Sequence, residues 1–184
     1  MLRKKALLDS RWEAVCLALG DQEMVQQLNI SQNSASSSFL PTVPEILNFA
    51  PTIVSMTTES VSIKRFDQVY KAFIHSSVRV FLKLDVQGYE PKVLTGASEF
   101  LSLCTAIQVE MALFPSYQGQ KLFFETSGLI AQKGFQLIHL EPGAWDTRSG
   151  YLIDVDGIFV RADDLDRTFA LAHPCESVAP GKSV

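Results

Sequence analysis

Val80-Phe81-Leu82-Lys83-Leu84-Asp85-Val86-Gln87-Gly88-Tyr89-Glu90 is the stretch from which the fold of this chain is read. Residues 78–84 are apolar, β-branched or aromatic apart from Arg79 and Lys83, the composition of a strand buried on both faces in a parallel sheet. The run stops at Asp85, and Gly88 follows where the chain must turn. Beyond it, Tyr89, Val93, Leu94, Ala97, Phe100 and Leu101 recur at helical spacing, with Pro91 tolerated in a first turn. A carboxylate therefore stands where a buried strand gives way to a helix, and ligands of open α/β sheets bind at the carboxyl ends of strands. Asp85 is equally a residue type that caps helices. The run Cys104-Thr105-Ala106-Ile107-Gln108-Val109-Glu110 is a second short apolar strand ending in an acid. Two strands ending in acids at one sheet edge point to a site more than to two unrelated caps.

The chain has 184 residues, 47% hydrophobic and 20% charged, with a formal charge of −4. That length suits one domain with a substantial core, and the composition is that of a globular protein. The acidic balance argues against a nucleic-acid partner, which selects a basic face. No apolar run approaches the ~20 residues of a membrane span, and the basic start Arg3-Lys4-Lys5 is followed by no signal-peptide pattern. Cys16, Cys104 and Cys175 are an odd, widely spaced set, and Cys16 and Cys104 lie in apolar runs, so buried free thiols are expected. His75, His139 and His173 form no pair at metal-ligand spacing. These features predict a cytoplasmic protein without a metal.

In chain order, residues 2–8 suggest a short helix, residues 12–19 a strand, Gly20-Asp21 a turn and residues 24–30 a return strand. The polar run 31–38 reads as a linker or mobile loop, and Pro41, Pro44 and Pro51 punctuate an irregular segment. Residues 53–63 suggest an edge strand, and Phe66, Val69, Tyr70 and Phe73 a helical face over the sheet. Residues 111–120, with Phe114, Pro115 and Tyr117, form an aromatic loop, either a pocket wall or simply packed. Residues 121–133 suggest an amphipathic helix ending at Gly134 in the left-handed region, followed by strands near 135–140 and 153–161. The last is expected to be antiparallel because only a loop joins it to its predecessor. Asp154 and Asp156 on it read as solvated. The tail from residue 164 lacks a periodic pattern and is expected to be flexible.

Phe81-Leu82-Lys83-Leu84-Asp85-Val86-Gln87-Gly88-Tyr89-Glu90, Val93-Leu94-Thr95-Gly96-Ala97 and Ile107-Gln108-Val109-Glu110 together resemble the FkbM-type class I methyltransferases. The likeness extends to Ala18-Leu19-Gly20-Asp21, Val61-Ser62-Ile63-Lys64-Arg65-Phe66-Asp67, Gly134-Phe135 and Asp156-Gly157-Ile158-Phe159-Val160, and so spans about residues 12–161. It implies an α/β fold with a mostly parallel Rossmann-like sheet over residues 1–163. It implies methyl transfer from S-adenosylmethionine to a hydroxyl of a small molecule or sugar. Asp85 and Glu110 are the candidate catalytic residues, with Asp85 as base or orienting group. Gly20, Asp21 and Asp85 are the candidate cofactor residues. Lys83, Gln87, Tyr89 and Tyr117 are the candidate substrate residues, and Lys83, two residues before Asp85, shares its sheet face. The same resemblance sets the serine-rich run near the active-site side.

One element of the pattern is missing. An adenosyl cofactor calls for a glycine turn that lets backbone approach closely, and no two glycines here are separated by one residue. Aligned by its motifs, the chain starts in the helix after the second strand of such a domain, so an N-terminally truncated domain with weak cofactor binding is expected. The competing expectation is a non-catalytic interaction module on the same scaffold. No Gly-x-Ser-x-Gly elbow favours a hydrolase.

Overall fold

A computed structural model describes residues 6, 8–74 and 79–165. Among the described residues seven strands form two sheets. β1 (Ala18–Leu19), β2 (Met24–Ser31) and β3 (Ser55–Lys64) make a three-stranded sheet in the order β1-β3-β2. β4 (Val80–Leu84), β5 (Cys104–Ala112), β6 (Phe135–Pro142) and β7 (Asp154–Arg161) make a four-stranded sheet in the order β4-β5-β7-β6. Helices among the described residues include α1 (Phe66–Val69), α2 (Glu90–Gly96) and α3 (Phe123–Ala131), with 3₁₀ turns such as Pro44–Asn48 and Phe100–Leu103 between elements.

The fold is thus mixed α/β, but the sheets are not mostly parallel. Only β1/β3 and β4/β5 pair parallel, whereas β2/β3, β5/β7 and β6/β7 pair antiparallel. The connections explain this. A helix crossover joins β4 to β5, which permits a parallel pair, while a loop joins β6 to β7, which forces a hairpin-like reversal. The last strand is antiparallel, as its loop connection predicts.

Three strand expectations are corrected. β3 is the central strand of its sheet, flanked on both sides, and not an edge. Of residues 12–19 only Ala18–Leu19 joins a sheet, and Trp12, Val15 and Cys16 stay exposed because no sheet surface meets them. β4 is buried on one face alone. Val80, Leu82 and Leu84 point inward, while Phe81 is 55% exposed and Lys83 faces solvent. The strand lies at the sheet edge, and among the described residues no helix covers its outer face. Of the other expectations, Val78, Cys175, His75, His173, most of the helix at 2–8 and nearly all of the tail lie outside the described residues. Among those described, no helix is long and apolar enough to cross a membrane.

The core fills the inner face of the four-stranded sheet. Leu82, Leu84, Ile107, Val109, Met111, Val155 and Phe159 meet Val93, Leu94, Ala97, Phe100, Leu101 and Ile130 from the helical layer. The spacing after Gly88 thus buries every residue it predicts, although the helix stops at Gly96 and resumes as the 3₁₀ turn Phe100–Leu103. Cys104 is buried in this layer, and burial pushes its thiol up to about 11. α3 stops at Ala131, short of the anticipated end at 133, while Gly134 takes the anticipated left-handed conformation at φ 83°.

α2 also ties the two sheets together. Lys92 Nζ reaches Asp21 Oδ2 at 2.7 Å, and the Tyr89 hydroxyl donates to Gln26 Oε1 at 3.0 Å. A side chain added at Gly96 would run into the carbonyl of Gly20, a backbone group that cannot rotate aside. Gly96→Ala is therefore expected to cost about 1–3 kcal/mol, as overpacking does. For a chain of this size that lowers the melting temperature by about 2–12 °C. A thermal melt at the native midpoint would show that the helix and Gly20 do not meet this closely.

Candidate active site

The chain turns sharply where β4 ends. Gln87 adopts φ 54° and Gly88 φ 89°. For a residue other than glycine the left-handed region costs roughly 1–2 kcal/mol, so the surroundings must hold Gln87 there. Glu90 does much of this. Only 4% exposed, it accepts the backbone N–H of Val86 at 3.0 Å and of Gly88 at 3.2 Å. Burial pushes the Glu90 carboxyl up, and its backbone hydrogen bonds oppose the shift. On the other side Ser38 Oγ donates to the Gln87 carbonyl at 2.6 Å. Gly88 is enclosed by Leu40, Gln120 and Tyr117, where a side chain would crowd all three.

Held in this way, Gln87 bridges the two acidic strand ends. Its Nε2 donates to Asp85 Oδ1 at 2.8 Å and to Glu110 Oε2 at 2.9 Å. Its Oε1 lies 2.9 Å from the Tyr117 hydroxyl, which lies equally close to the Ser36 carbonyl and shares one proton between the two acceptors. Carboxyl groups on one side and a hydroxyl on the other orient the amide. Glu110 is pushed up to about 9, first by burial, then by the charges of Asp85 and Asp154 and a hydrogen bond with Asp85, then by Glu90. It therefore keeps its proton at neutral pH, the outcome of crowding carboxyl groups into a site that cannot hold every charge. Burial likewise raises the Tyr117 phenol.

These groups line a cleft of about 350 Å³ together with Ser36, Ser116, Gln120 and Asp154, and with Ile46, Ile53 and Ile153 on its apolar side. The structure brings together Asp85, Gln87, Glu110 and Tyr117 from the sequence-based candidates. Lys83 stands beside them, its Nζ 3.7 Å from Asp85 Oδ2 on the same sheet face, but does not line the cleft. Tyr89 is a core residue, its ring 5.0 Å from that of Phe39. Gly20 is packed among Ile63, Tyr89 and Gly96, and Asp21 is engaged by Lys92. The serine-rich run and the aromatic loop both reach the cleft.

Two residues of this site escaped the sequence reading. Glu90 had a signal, a carboxylate in the first helical turn after Gly88, but its direction back into the turn had none. The sequence pattern makes Asp154 a solvated residue. Instead it is partly buried and raised by that burial, with the Ala144 N–H donating to it at 2.8 Å. Its carboxyl occupies the space that a side chain at Gly143 would need. The cleft wall it forms comes from pairing of β7 with β5, which opposes Asp154 to Ala112.

The protonation of Glu110 has a measurable consequence. A folded pKa raised from 4.5 to about 9 stabilises the fold fully below the unfolded value. That contribution is lost as pH rises through the folded one. Glu110→Gln fixes the neutral form, so its stability relative to the native protein is expected to increase from pH 5 to pH 9. Urea unfolding at a series of pH values measures this, and a difference that does not change with pH would exclude a protonated Glu110.

S-adenosylmethionine is the donor implied by the resemblance. The acidic cleft wall suits the positive charge of its sulfonium centre. Gly20 and Asp21, in contrast, are taken up by packing and an ion pair and present no open cradle for an adenosine. Among the described residues no group of three or more His, Cys, Asp or Glu side chains is arranged to hold a metal ion.

The profile of the methyltransferase FkbM domain family matches residues 3–137. No curated protein and no solved structure matches the chain. The family match contains the β4 and β5 strand ends and the Tyr117 loop, and stops before Asp154. With the greater part of its length matched, the chain belongs to the FkbM methyltransferase domain family.

Proposed function

We propose that this protein transfers the methyl group of S-adenosylmethionine to a hydroxyl of a small molecule or sugar, which enters the cleft at the ends of β4 and β5. The observation that carries this is the bridge from Gln87 to both Asp85 and Glu110, which joins the two strand-end acids into one hydrogen-bonded unit. Methyl transfer is an in-line displacement, so the protein must align the acceptor oxygen and receive its proton. The donor, when bound, supplies an electrophilic methyl on a cationic sulfur. Glu110 already holds a proton and Asp85 remains half exposed at the cleft mouth, so Asp85 is the group that receives the acceptor's proton. Gln87 fixes the spacing of the two acids, and Tyr117 fixes Gln87. Lys83 stands beside the Asp85 carboxylate, its Nζ 3.7 Å from Oδ2. We place the protein in the cytoplasm and assign its catalytic domain to residues 1–163.

A second reading is a binding module that keeps the scaffold without turnover. The engagement of Gly20 and Asp21 by Gly96 and Lys92 favours it. Incubation with methyl-labelled S-adenosylmethionine and a panel of sugars and alcohols separates the two. Label recovered as a methyl ether on an acceptor supports the transferase, and a folded protein that labels nothing supports the module.

A further inference from the structure

A second cavity of about 240 Å³ adjoins the acidic cleft, and Ile46 and Ile153 line both. Its character is different. Val43, Phe49, Phe114, Pro115 and Tyr151 make its walls mainly apolar. Asp146 at its edge is already satisfied, by Ser149 Oγ at 2.8 Å and by the backbone N–H and Nε of Arg148, each at 3.2 Å. Glu45 also lines the groove, and apart from it the surface offered to an incoming ligand is mainly apolar.

The aromatic groups are unusually open for such a position. Phe114 is 49% and Tyr151 67% exposed, and their rings are parallel to within 5° with centroids 6.5 Å apart. Apolar surface gathered in one concave place marks a binding site more often than scattered exposed side chains do. The groove is also pinned in shape. Leu113 N–H donates to the Ile153 carbonyl at 2.7 Å, Val43 N–H to Ser116 at 3.0 Å and Gln118 N–H to Pro41 at 2.8 Å. The loop over residues 113–120 thus carries Phe114 into the groove and Tyr117 into the cleft as one rigid piece, and a ligand placed by one is placed relative to the other.

We infer that the acceptor is amphipathic, a hydroxylated molecule with a flat apolar ring, and that this ring lies in the Phe114–Tyr151 groove while the hydroxyl enters the cleft. The inference rests on the transferase reading for the word acceptor, but the ring site itself does not. An aromatic ring here gains area burial and stacking against the exposed Phe114 and Tyr151 rings, more than the polar face of a sugar would gain.

The test is saturation-transfer NMR on the full chain with naphthol as the aromatic probe and glucose as the polar one. Naphthol is expected to bind about three- to tenfold more weakly to Phe114→Ala and to Tyr151→Ala. Binding to Trp145→Ala, a change at an exposed ring outside the groove, is expected to match the native protein. Glucose binding as well as naphthol, or naphthol affinity unaltered in both groove variants, would overturn the inference. Labelled-methyl transfer read in parallel keeps the two ideas apart. Naphthol binding that follows the groove variants with no transfer to any acceptor removes the transferase reading and leaves the ring site. Transfer to sugars with no groove-dependent naphthol binding does the reverse.

Discussion

Asp85→Asn is expected to lower methyl transfer by about 10²–10⁴-fold, the usual contribution of a positioned acid or base, while leaving the protein folded. Asparagine keeps an oxygen for the Gln87 Nε2 bond, so the bridge survives and only the capacity to take a proton is lost. The side chain is 48% exposed and pairs loosely with Lys83 at 3.7 Å, a setting where substitution shifts stability little. There is a coupled effect. Asp85 is one of the charges that raise Glu110, so removing it should bring Glu110 down toward the carboxylate range. Turnover by methyl-label counting, with circular dichroism as the control for folding, checks the first claim. Native turnover in Asp85→Asn removes Asp85 as the base.

Glu90→Ala is expected to have the largest effect on stability. It leaves the N–H groups of Val86 and Gly88 without their acceptor in a buried turn. Each unsatisfied buried donor costs about 1–3 kcal/mol, so a loss of about 2–6 kcal/mol is expected before the cavity is counted. Glu90→Gln retains an oxygen for both donors and should lose far less, since burial already works against the Glu90 charge. Urea unfolding of both variants separates the hydrogen-bonding role from a charge role. Equal losses in alanine and glutamine would mean that the charge, and not the turn, is what matters. The site should respond too, because Gln87 holds its left-handed conformation only while the turn is fixed.

The relation between sequence and structure differs from part to part. The β4–α2–β5 unit was legible because a strand, a Gly-containing turn and a helix each leave a local mark, and every apolar position predicted after Gly88 is buried. The sheet pairing was not legible. Whether β4 is covered on both faces depends on what packs against Phe81, which lies outside any local window. β3 has the alternation of an edge strand, yet sits in the centre because β1 and β2 return to either side of it. At the site, Asp85 and Glu110 were legible as strand-end acids. Gln87 and Tyr117 were legible as loop residues, though not as hydrogen-bond partners. Tyr89 misled because a tyrosine in an active-site loop and a tyrosine opening a helix look alike until burial is known. Asp154 could not be found locally, since its place in the cleft follows from the register of β7 against β5.

The central claim is that the carboxyl pair joined by Gln87 handles the acceptor's proton. The pH dependence of methyl transfer by the native protein and by Glu110→Gln tests it most directly. Native activity is expected to fall as pH rises through about 9, where Glu110 loses its proton and two charges face one another across the bridge. That fall should be absent in Glu110→Gln. The same alkaline fall in both proteins, or no transfer at any pH, would contradict the account.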